Sequence, residues 1–310
     1  MNIGFWKKLK DKGEPIMALA PMADVTDAPF RRIIAKYGKP DVMWTEFVSA
    51  DGLFLSPIGK HCQKFIDGEI LIKEFNKIIE TGISGSSLLK DLIFSKEERP
   101  IVVQFFTNNP EMMEKAARLA VKLGFDGVDI NMGCPDKSIE KQNAGAKLMT
   151  NPKLAQEIIM AAKREAGNLP VSVKTRIGWN KNELETWLPI LLETNPAVIT
   201  VHARTRKEQS LVPARWEHVK RAVEIRDSFI DSRGKKSETL IFGNGDVKDL
   251  NDAKNKAYET VCDGIMIGRA IFGNPFLFSE LRKKKSPAKP LAKQGRVSPR
   301  VALGEKEIKQ

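Results

Sequence analysis

The sequence predicts an α/β fold, a (β/α)8 barrel (TIM barrel), and two observations support this prediction. Short apolar segments alternate with helical patterns eight times between about residue 15 and residue 280, which is the repeat of such a barrel. Polar side chains follow nearly every apolar segment, as they do where barrel strands end at an active site. An open doubly wound sheet is the alternative, but the chain lacks the G-x-G-x-x-G signature of that fold.

The candidate elements can be taken in chain order. The predicted strands are Ile16–Ala20, Val42–Phe47, Ile101–Phe106, Gly127–Asn131, Val171–Thr175, Val198–His202, Thr239–Gly243 and Gly264–Gly268. The clearest helical patterns are Pro110–Leu123, Pro152–Glu165, Glu183–Glu193 and Trp216–Asp227. Pro110 and Pro152 each follow an asparagine that can cap a helix, so both suit a first helical turn. The long connection over residues 51–99 is expected to carry a helix near Leu71–Ile79, and elaboration of the surface is the simplest explanation of its length.

The chain is predicted to consist of an N-terminal extension (1–14), the barrel (15–280) and a tail (281–310) that is distinguished by its positive charge. The net charge is +12, and the tail contributes +8 of it through ten Lys or Arg and two Glu. Because the tail has few large apolar residues, we expect it to be disordered and to bind polyanions. A solvated tail that only aids solubility is the alternative.

Composition excludes several classes of protein. The chain has no run of 18 apolar residues and no signal-peptide pattern, so neither a membrane span nor secretion is expected. We expect a cytoplasmic location. Cys62, Cys134 and Cys262 form no C-x-x-C pair, and the chain has only three histidines. This pattern argues against a disulfide framework and against a metal site. Any chemistry is therefore expected to use an organic cofactor.

The residues at the predicted strand ends, most of them polar, form the candidate site. In chain order they are Pro21, Met22 and Ala23, then Glu46, Gln104, Asn131, Cys134, Lys174, Arg176, His202, Arg204, Arg206, Asn244, Gly245, Asp246, Gly268 and Arg269. In a barrel of parallel strands, all of these positions meet at one face. Cys134 lies between a glycine and a proline just past a buried strand, where either a catalytic acid or a small buried residue fits.

Two of these features favour a phosphorylated flavin. Glycines after the seventh and eighth strands lie where barrels often bind phosphate, although barrel turns also need glycine for geometric reasons. Alternation along the fifth strand turns Lys174 into the barrel mouth, where an ammonium needs an anion or an electron-rich ring. A cation beside a flavin stabilises its anionic reduced form. The alternatives are a lysine that reaches solvent and, for His202, an ordinary core histidine.

Together these residues resemble the tRNA-dihydrouridine synthase family. The matching segments keep the family's order and spacing over about residues 15–280, and they are Ala20–Arg31, Gln104, Asp129–Pro135, Asn143–Ala146, Val173–Arg176, His202–Arg206, Asn244–Asp246 and Gly268–Arg269. Other flavin barrels share the phosphate loops, but not the opening segment together with the N-x-G-C-P turn at Asn131–Pro135.

The resemblance implies a flavin barrel that reduces uridine in tRNA to 5,6-dihydrouridine, using FMN that NADPH (or NADH) reduces. It implies that Cys134 is the proton donor. The implied FMN contacts are Pro21, Met22, Ala23, Gln104, Lys174 and His202 at the ring, and Asn244, Gly245, Asp246, Gly268 and Arg269 at the phosphate. The implied tRNA contacts are Asn131, Arg176, Arg204 and Arg206. No metal and no membrane is implied, and a monomer is expected.

The C-terminus departs from the family pattern. Typical members follow the barrel with a small helical domain that grips tRNA, and residues 281–310 are too short and too polar to form one. We therefore expect that domain to be missing or truncated, with the basic tail, a partner or a different RNA substrate compensating. This departure favours the main alternative, a flavin-dependent reductase of small pyrimidines or enoates on the same barrel. A non-catalytic RNA-binding protein is a third hypothesis, against which Cys134 and Lys174 argue.

The proposed acid has the right chemistry. After hydride transfer to uracil C6, C5 must be protonated, and a thiol with an ordinary pKa of about 8.5 carries its proton at neutral pH. An apolar barrel mouth raises that pKa further. The target base must also leave its stack, which costs roughly a few kcal/mol.

Overall fold

The structure is a closed barrel of eight parallel strands, and the computed structural model describes residues 3–79 and 81–279. Neighbouring strands pair in chain order, and the last strand pairs with the first. The strands are β1 (Ile16–Leu19), β2 (Val42–Ser49), β3 (Ile101–Phe106), β4 (Gly127–Met132), β5 (Val171–Arg176), β6 (Val198–His202), β7 (Leu240–Asn244) and β8 (Gly264–Ile267). The predicted TIM barrel is confirmed, and each predicted strand lies within two residues of an observed one.

Helices surround the strands. They are α1 (Trp6–Lys10), α2 (Ala28–Tyr37), α3 (Ala50–Leu55), α4 (Gly59–Asp67), α5 (Ile72–Ile78), α6 (Ser87–Lys90), α7 (Pro110–Leu123), α8 (Lys137–Lys141), α9 (Pro152–Glu165), α10 (Leu184–Glu193), α11 (Glu217–Ser228) and α12 (Leu250–Thr260). Short 3₁₀ turns occupy Lys96–Glu98, Gly145–Thr150 and Arg269–Ile271. The predicted bounds of α7 and α9 are confirmed, and each helix has an asparagine cap whose side chain accepts a backbone N–H.

The N-terminal extension closes the end of the barrel opposite the predicted site. Trp6 is 1% exposed and packs among the apolar side chains of the barrel interior. Its ring lies 5.8 Å from that of Trp44 and 5.5 Å from that of Phe242, the latter edge to face. Large aromatic side chains contribute much of a core's stability. The extension is therefore part of the barrel's core rather than a separate arm.

The connection between β2 and β3 is more ordered than the sequence predicts. We expected one helix near Leu71–Ile79, and the structure has four helices, α3 to α6, of which α5 occupies that place. Arg31 of α2 anchors the end of the connection, because its buried guanidinium donates to Glu98 at 2.6 Å and to the carbonyl oxygens of Thr26 and Ile93. Such a buried ion pair is costly to break. The connection is thus fixed to the barrel by a specific contact.

The predicted basic tail lies outside the described residues. Among the residues that the structure describes, no helix is long and apolar enough to cross a membrane. No group of three or more His, Cys, Asp or Glu in this described part could hold a metal ion. The carboxyl ends of the strands all open at one face, and the site is built there.

Candidate active site

A cavity of about 570 Å³ opens at the carboxyl ends of the strands. Its lining comes from β1, β5, β6, β7, β8 and the loops that follow them, and consists of Ala20, Pro21, Met22, Lys174, His202, Arg204, Asn244, Gly245, Asp246, Val247, Lys248, Met266, Gly268, Arg269 and Ala270. The size is in the range of small-molecule and cofactor sites. The wall carries four cationic side chains and one carboxylate, so the cavity suits an anionic ligand.

A second hollow of about 450 Å³ also opens at this face and contains Cys134. Its lining is Ala23, Asp24, Glu46, Phe47, Phe106, Cys134, Asp136, Ser138, Ile139 and Gln142. The two hollows meet at the loop after β1, because Pro21 and Met22 line the cavity and Ala23 lines the second hollow. The arrangement provides one compartment for an anionic cofactor and a neighbouring one beside a thiol.

The loop after β7 approaches the cavity with its backbone. Gly245 has φ +123°, and a Cβ there would lie 2.8 Å from the Cβ of Ala214, so only glycine fits without a shift. Trp216 Nε1 fixes the turn by donating to the Gly245 carbonyl oxygen at 2.9 Å. Asp246, with φ +47°, comes next. The turn thus brings the backbone of Gly245 to the cavity wall without a side chain.

The Asp246 carboxylate orients two arginines. It accepts hydrogen bonds from the guanidinium groups of Arg204 and Arg269 and from the backbone N–H of Ala214. These hydrogen bonds and the arginine charges lower the pKa of Asp246 in spite of its partial burial. Asp246 therefore holds the cations of the cavity wall in place as a carboxylate. Arg204, predicted to bind substrate, lies in this cavity instead of the hollow of Cys134.

His202 is a neutral imidazole. Arg204 Nη1 lies 3.1 Å from His202 Nε2, and because a guanidinium only donates, Nε2 is the acceptor. Burial, followed by the charges of Arg176 and Lys174, holds the pKa of His202 well below its usual value. The second ring nitrogen is then the protonated one, and it can serve as a donor.

Lys174 lines the cavity without a direct partner for its ammonium group. It makes no hydrogen bond or ion pair to any residue in the described part of the chain. Burial lowers its pKa to about 8, and the charge of Arg176 lowers it in the same direction. The Lys174 side chain thus faces the cavity at the barrel mouth, where alternation along the fifth strand predicts it.

Two residues predicted at the cofactor use their side chains within the barrel. Gln104 is 1% exposed and lines neither hollow, and its Nε2 donates to the Asp129 carboxylate at 2.6 Å. Asn244 lines the cavity, but its Nδ2 donates to the Met266 carbonyl oxygen at 2.8 Å and so joins β7 to β8. Both side chains stiffen the walls around the site.

The turn that carries Cys134 is held from several sides. Asn131 Oδ1 accepts the backbone N–H groups of Gly133 at 3.1 Å and Cys134 at 3.0 Å. Arg176 Nε donates to the Gly133 carbonyl oxygen at 2.7 Å, and Ala146 N donates to that of Cys134 at 2.9 Å. Asn131 and Arg176, both predicted at the substrate, thus set the geometry of the turn. The thiol is presented from a rigid loop.

Cys134 stays protonated in this setting. It packs against the apolar cluster of Phe106, Ile139 and Ala144, and this burial is the main reason why its pKa is raised. The backbone N–H of Asp136 and the charges of Lys174 and Arg176 lower the pKa, whereas the carboxylate of Asp136 raises it. The thiol is therefore an acid at neutral pH rather than a thiolate nucleophile.

Arg206 secures the helix after this turn. Its guanidinium pairs through two nitrogens with both carboxylate oxygens of Glu140 in α8, and it lies 4.3 Å from the ring centroid of Trp179. A planar, two-point pair of this kind is specific to arginine. Arg206 was predicted to bind substrate, and in the structure its charge is engaged by Glu140.

Glu46, to which no role was assigned from the sequence, faces the hollow of Cys134. Its Oε1 accepts the backbone N–H of Val25 at 2.8 Å, which fixes the carboxyl group. Burial raises its pKa, and the nearby carboxylate of Asp91 adds to the effect. In the sequence, only its position near a strand end distinguished Glu46. The acids that raise its pKa lie in the loop after β1 and in the long β2–β3 connection, so the sequence does not show that they are close to it.

Comparison with known sequences points to one family. The family model described as "Dihydrouridine synthase (Dus)" matches residues 18–298. A "Probable tRNA-dihydrouridine synthase" of Staphylococcus aureus (strain COL) is 36% identical over 281 residues, covering 90% of this chain and 74% of that protein. The "Probable tRNA-dihydrouridine synthase 2" of Bacillus subtilis (strain 168) is 37% identical over 287 residues, covering 92% and 77%.

Solved structures share the barrel at low sequence identity. Morphinone reductase in complex with tetrahydroNAD has a TM-score of 0.51 at 12% identity, with 88% of each chain covered. Histamine dehydrogenase from Rhizobium sp. 4-9 has a TM-score of 0.56 at 12% identity, covering 86% of this chain and 45% of that one. At this identity the likeness is one of fold.

Proposed function

We propose that this chain, which belongs to the dihydrouridine synthase family, reduces uridine in tRNA to 5,6-dihydrouridine. The family match confirms the resemblance drawn from the sequence. The observation that carries the proposal is the pairing of a cation-lined cavity with an adjacent hollow that presents the protonated thiol of Cys134. The cavity would hold the reductant, and the adjacent hollow would hold the uracil base next to it.

FMN fits the cavity by the chemistry of the donor groups. The Lys174 ammonium, which has no direct hydrogen-bond or ion-pair partner in the described residues, suits the electron-rich edge of a flavin, and neutral His202 offers a second contact. We assign the ring to the wall formed by Pro21, Met22 and Ala23. We assign the phosphate to the loops after β7 and β8, because Gly245 and Gly268 admit a close backbone approach and Arg269 supplies charge. The residues proposed for the phosphate end are Asn244, Gly245, Asp246, Gly268 and Arg269.

Bound FMN, reduced by NADPH (or NADH), would supply the hydride for uracil C6. The chain's own residues exclude water and place the base: Phe47 and Phe106 form an apolar wall of the hollow, with ring centroids 5.8 Å apart. Cys134 then donates its thiol proton to C5, and the turn fixed by Asn131 and Arg176 determines the face from which the proton arrives. Cys134 is thus the proposed catalytic acid.

The partner that this reading requires is tRNA, with the target uridine turned out of its stack. Phosphate contacts by basic residues would offset that cost, and the basic segment 281–310 is the proposed source of much of the attraction. We propose a cytoplasmic location, which suits a tRNA substrate. We propose that it acts as a monomer, which sedimentation of the purified protein would test.

The decisive experiment maps dihydrouridine by mass spectrometry in tRNA from cells with and without this protein. Loss of dihydrouridine at defined positions in the deletion strain, restored by the wild-type gene but not by Cys134→Ala, supports the proposal. Unchanged tRNA would point to the alternative, reduction of a small pyrimidine or enoate on the same barrel. Purified protein should also carry FMN, and a protein that cannot be loaded with FMN would refute the flavin assignment.

A further inference from the structure

Asp129 is a fully buried acid to which the reaction assigns no task. On β4, Val128 and Ile130 pack outward in the core beneath the helices, so Asp129 faces the interior of the barrel. Its exposed fraction is 0%, and burial raises its pKa to about 6. Burying a carboxylate is costly unless hydrogen bonds or an opposite charge compensate.

Hydrogen bonds hold Asp129 as a carboxylate. Gln104 Nε2 donates to Oδ2 at 2.6 Å, and Ser172 Oγ donates to Oδ1 at 2.5 Å. An amide nitrogen can only donate, so Oδ2 is an acceptor. With a pKa of about 6, Asp129 is ionised at pH 7 and above. A negative charge therefore lies inside the barrel, beneath the cavity.

The negative charge of Asp129 acts on the ammonium group of Lys174. Asp129 lies opposite Ser172 in the register of β4 and β5, and Lys174 is the next interior residue along β5, toward the cavity. Arg176 on the same strand opposes protonation of Lys174, and Thr200, opposite Lys174 on β6, carries no charge. His202 is neutral, and Cys134 is a protonated thiol. The Asp246 carboxylate of the same cavity is paired with Arg204 and Arg269. Asp129 is thus the carboxylate whose charge stabilises the ammonium.

We propose that Asp129 is a positioning residue whose negative charge keeps Lys174 protonated at the wall of the cofactor cavity. The inference rests on the proposed function, since a lysine cation matters there only if it faces a flavin. A buried lysine without an anion loses its proton near neutral pH. A neutral amine would no longer stabilise the anionic form of a reduced flavin.

The test is the pH profile of acetylation of Lys174 by acetic anhydride in the full-length protein, followed by peptide mass spectrometry. The midpoint of the profile reports the protonation of Lys174, and its plateau reports accessibility. Asp129→Asn should move the midpoint down by about one pH unit, which makes labelling about tenfold faster at a fixed pH below it. Thr200→Val is the matched control, because that buried hydroxyl has no hydrogen-bond partner in the described structure.

Ser172→Ala provides a second variant in case Asp129→Asn does not fold. It removes one hydrogen bond from the carboxylate, so the midpoint should move in the same direction by less. Midpoints equal to those of the wild type and Thr200→Val, or a change in the plateau alone, would overturn the inference. Adding FMN should protect Lys174 from the reagent. Absence of protection would count against the proposed function, while the midpoints of the flavin-free protein would still decide the role of Asp129.

Discussion

Replacement of Cys134 by alanine tests the proposed acid most directly. A positioned general acid contributes about 10²- to 10⁴-fold to a rate, and we expect Cys134→Ala to lower the rate of uridine reduction by that factor. The substitution should leave FMN bound, because Cys134 lines the second hollow and not the cavity. Its thiol packs against a small apolar cluster, so the loss of stability should be modest and the loss of rate large.

The assay is a single turnover of the pre-reduced protein with a tRNA transcript. Oxidation of the flavin is followed by its absorbance, and dihydrouridine is quantified by mass spectrometry. Cys62→Ala is the matched control: that thiol is fully buried in α4, burial raises its pKa to about 12, and it lines neither hollow. The control should turn over at the wild-type rate. A Cys134→Ala protein that forms dihydrouridine as fast as the control would remove Cys134 from the mechanism.

Three further predictions concern Trp6, Arg206 and the basic C-terminal segment. Trp6→Ala should lower the free energy of unfolding by about 3–5 kcal/mol in denaturant titration, because it leaves a void among the rings that close the barrel; a loss below 1 kcal/mol would contradict the plugging role. Arg206→Lys should slow turnover while FMN affinity stays unchanged, since lysine cannot form the two-point pair with Glu140 and Arg206 does not line the cavity; weakened FMN binding would argue otherwise. Removal of residues 283–310 should weaken tRNA binding and flatten its salt dependence, and an equal salt slope would make that segment irrelevant.

Much of the fold is predictable because its signals are local. The apolar strands and the asparagine caps of α7 and α9 depend on neighbouring residues, and they lie where the sequence places them. The plug formed by Trp6 and the helices between β2 and β3 depend on contacts distant in sequence, such as the pair of Arg31 with Glu98. Periodicity cannot reveal such contacts.

The site shows the same division between residue type and partner. The strand-end rule brings the predicted residues to one face, and Lys174 and Cys134 lie in neighbouring hollows there. The sequence does not show that Arg204 faces Asp246 or that Arg206 faces Glu140, because each pair joins different loops. Arginines in an RNA-modifying enzyme suggest RNA contacts. In this structure the two arginines instead form ion pairs within the protein.

This pairing separates catalysis from attraction for RNA. Arg176 donates to the carbonyl oxygens of Gly133, Thr205 and Gln209, and the other two arginines pair with carboxylates. Arg204 and Arg206 are neutralised by carboxylates, and Arg176 is buried. These three cations therefore release few counterions from a nucleic acid and add little to the salt dependence of binding. Substitution of these arginines should therefore change turnover at saturating tRNA and leave the salt slope intact. The salt slope should instead decrease when exposed lysines or the basic C-terminal segment are removed. Turnover at saturating tRNA and the salt slope of binding together distinguish basic residues that support catalysis from those that attract RNA.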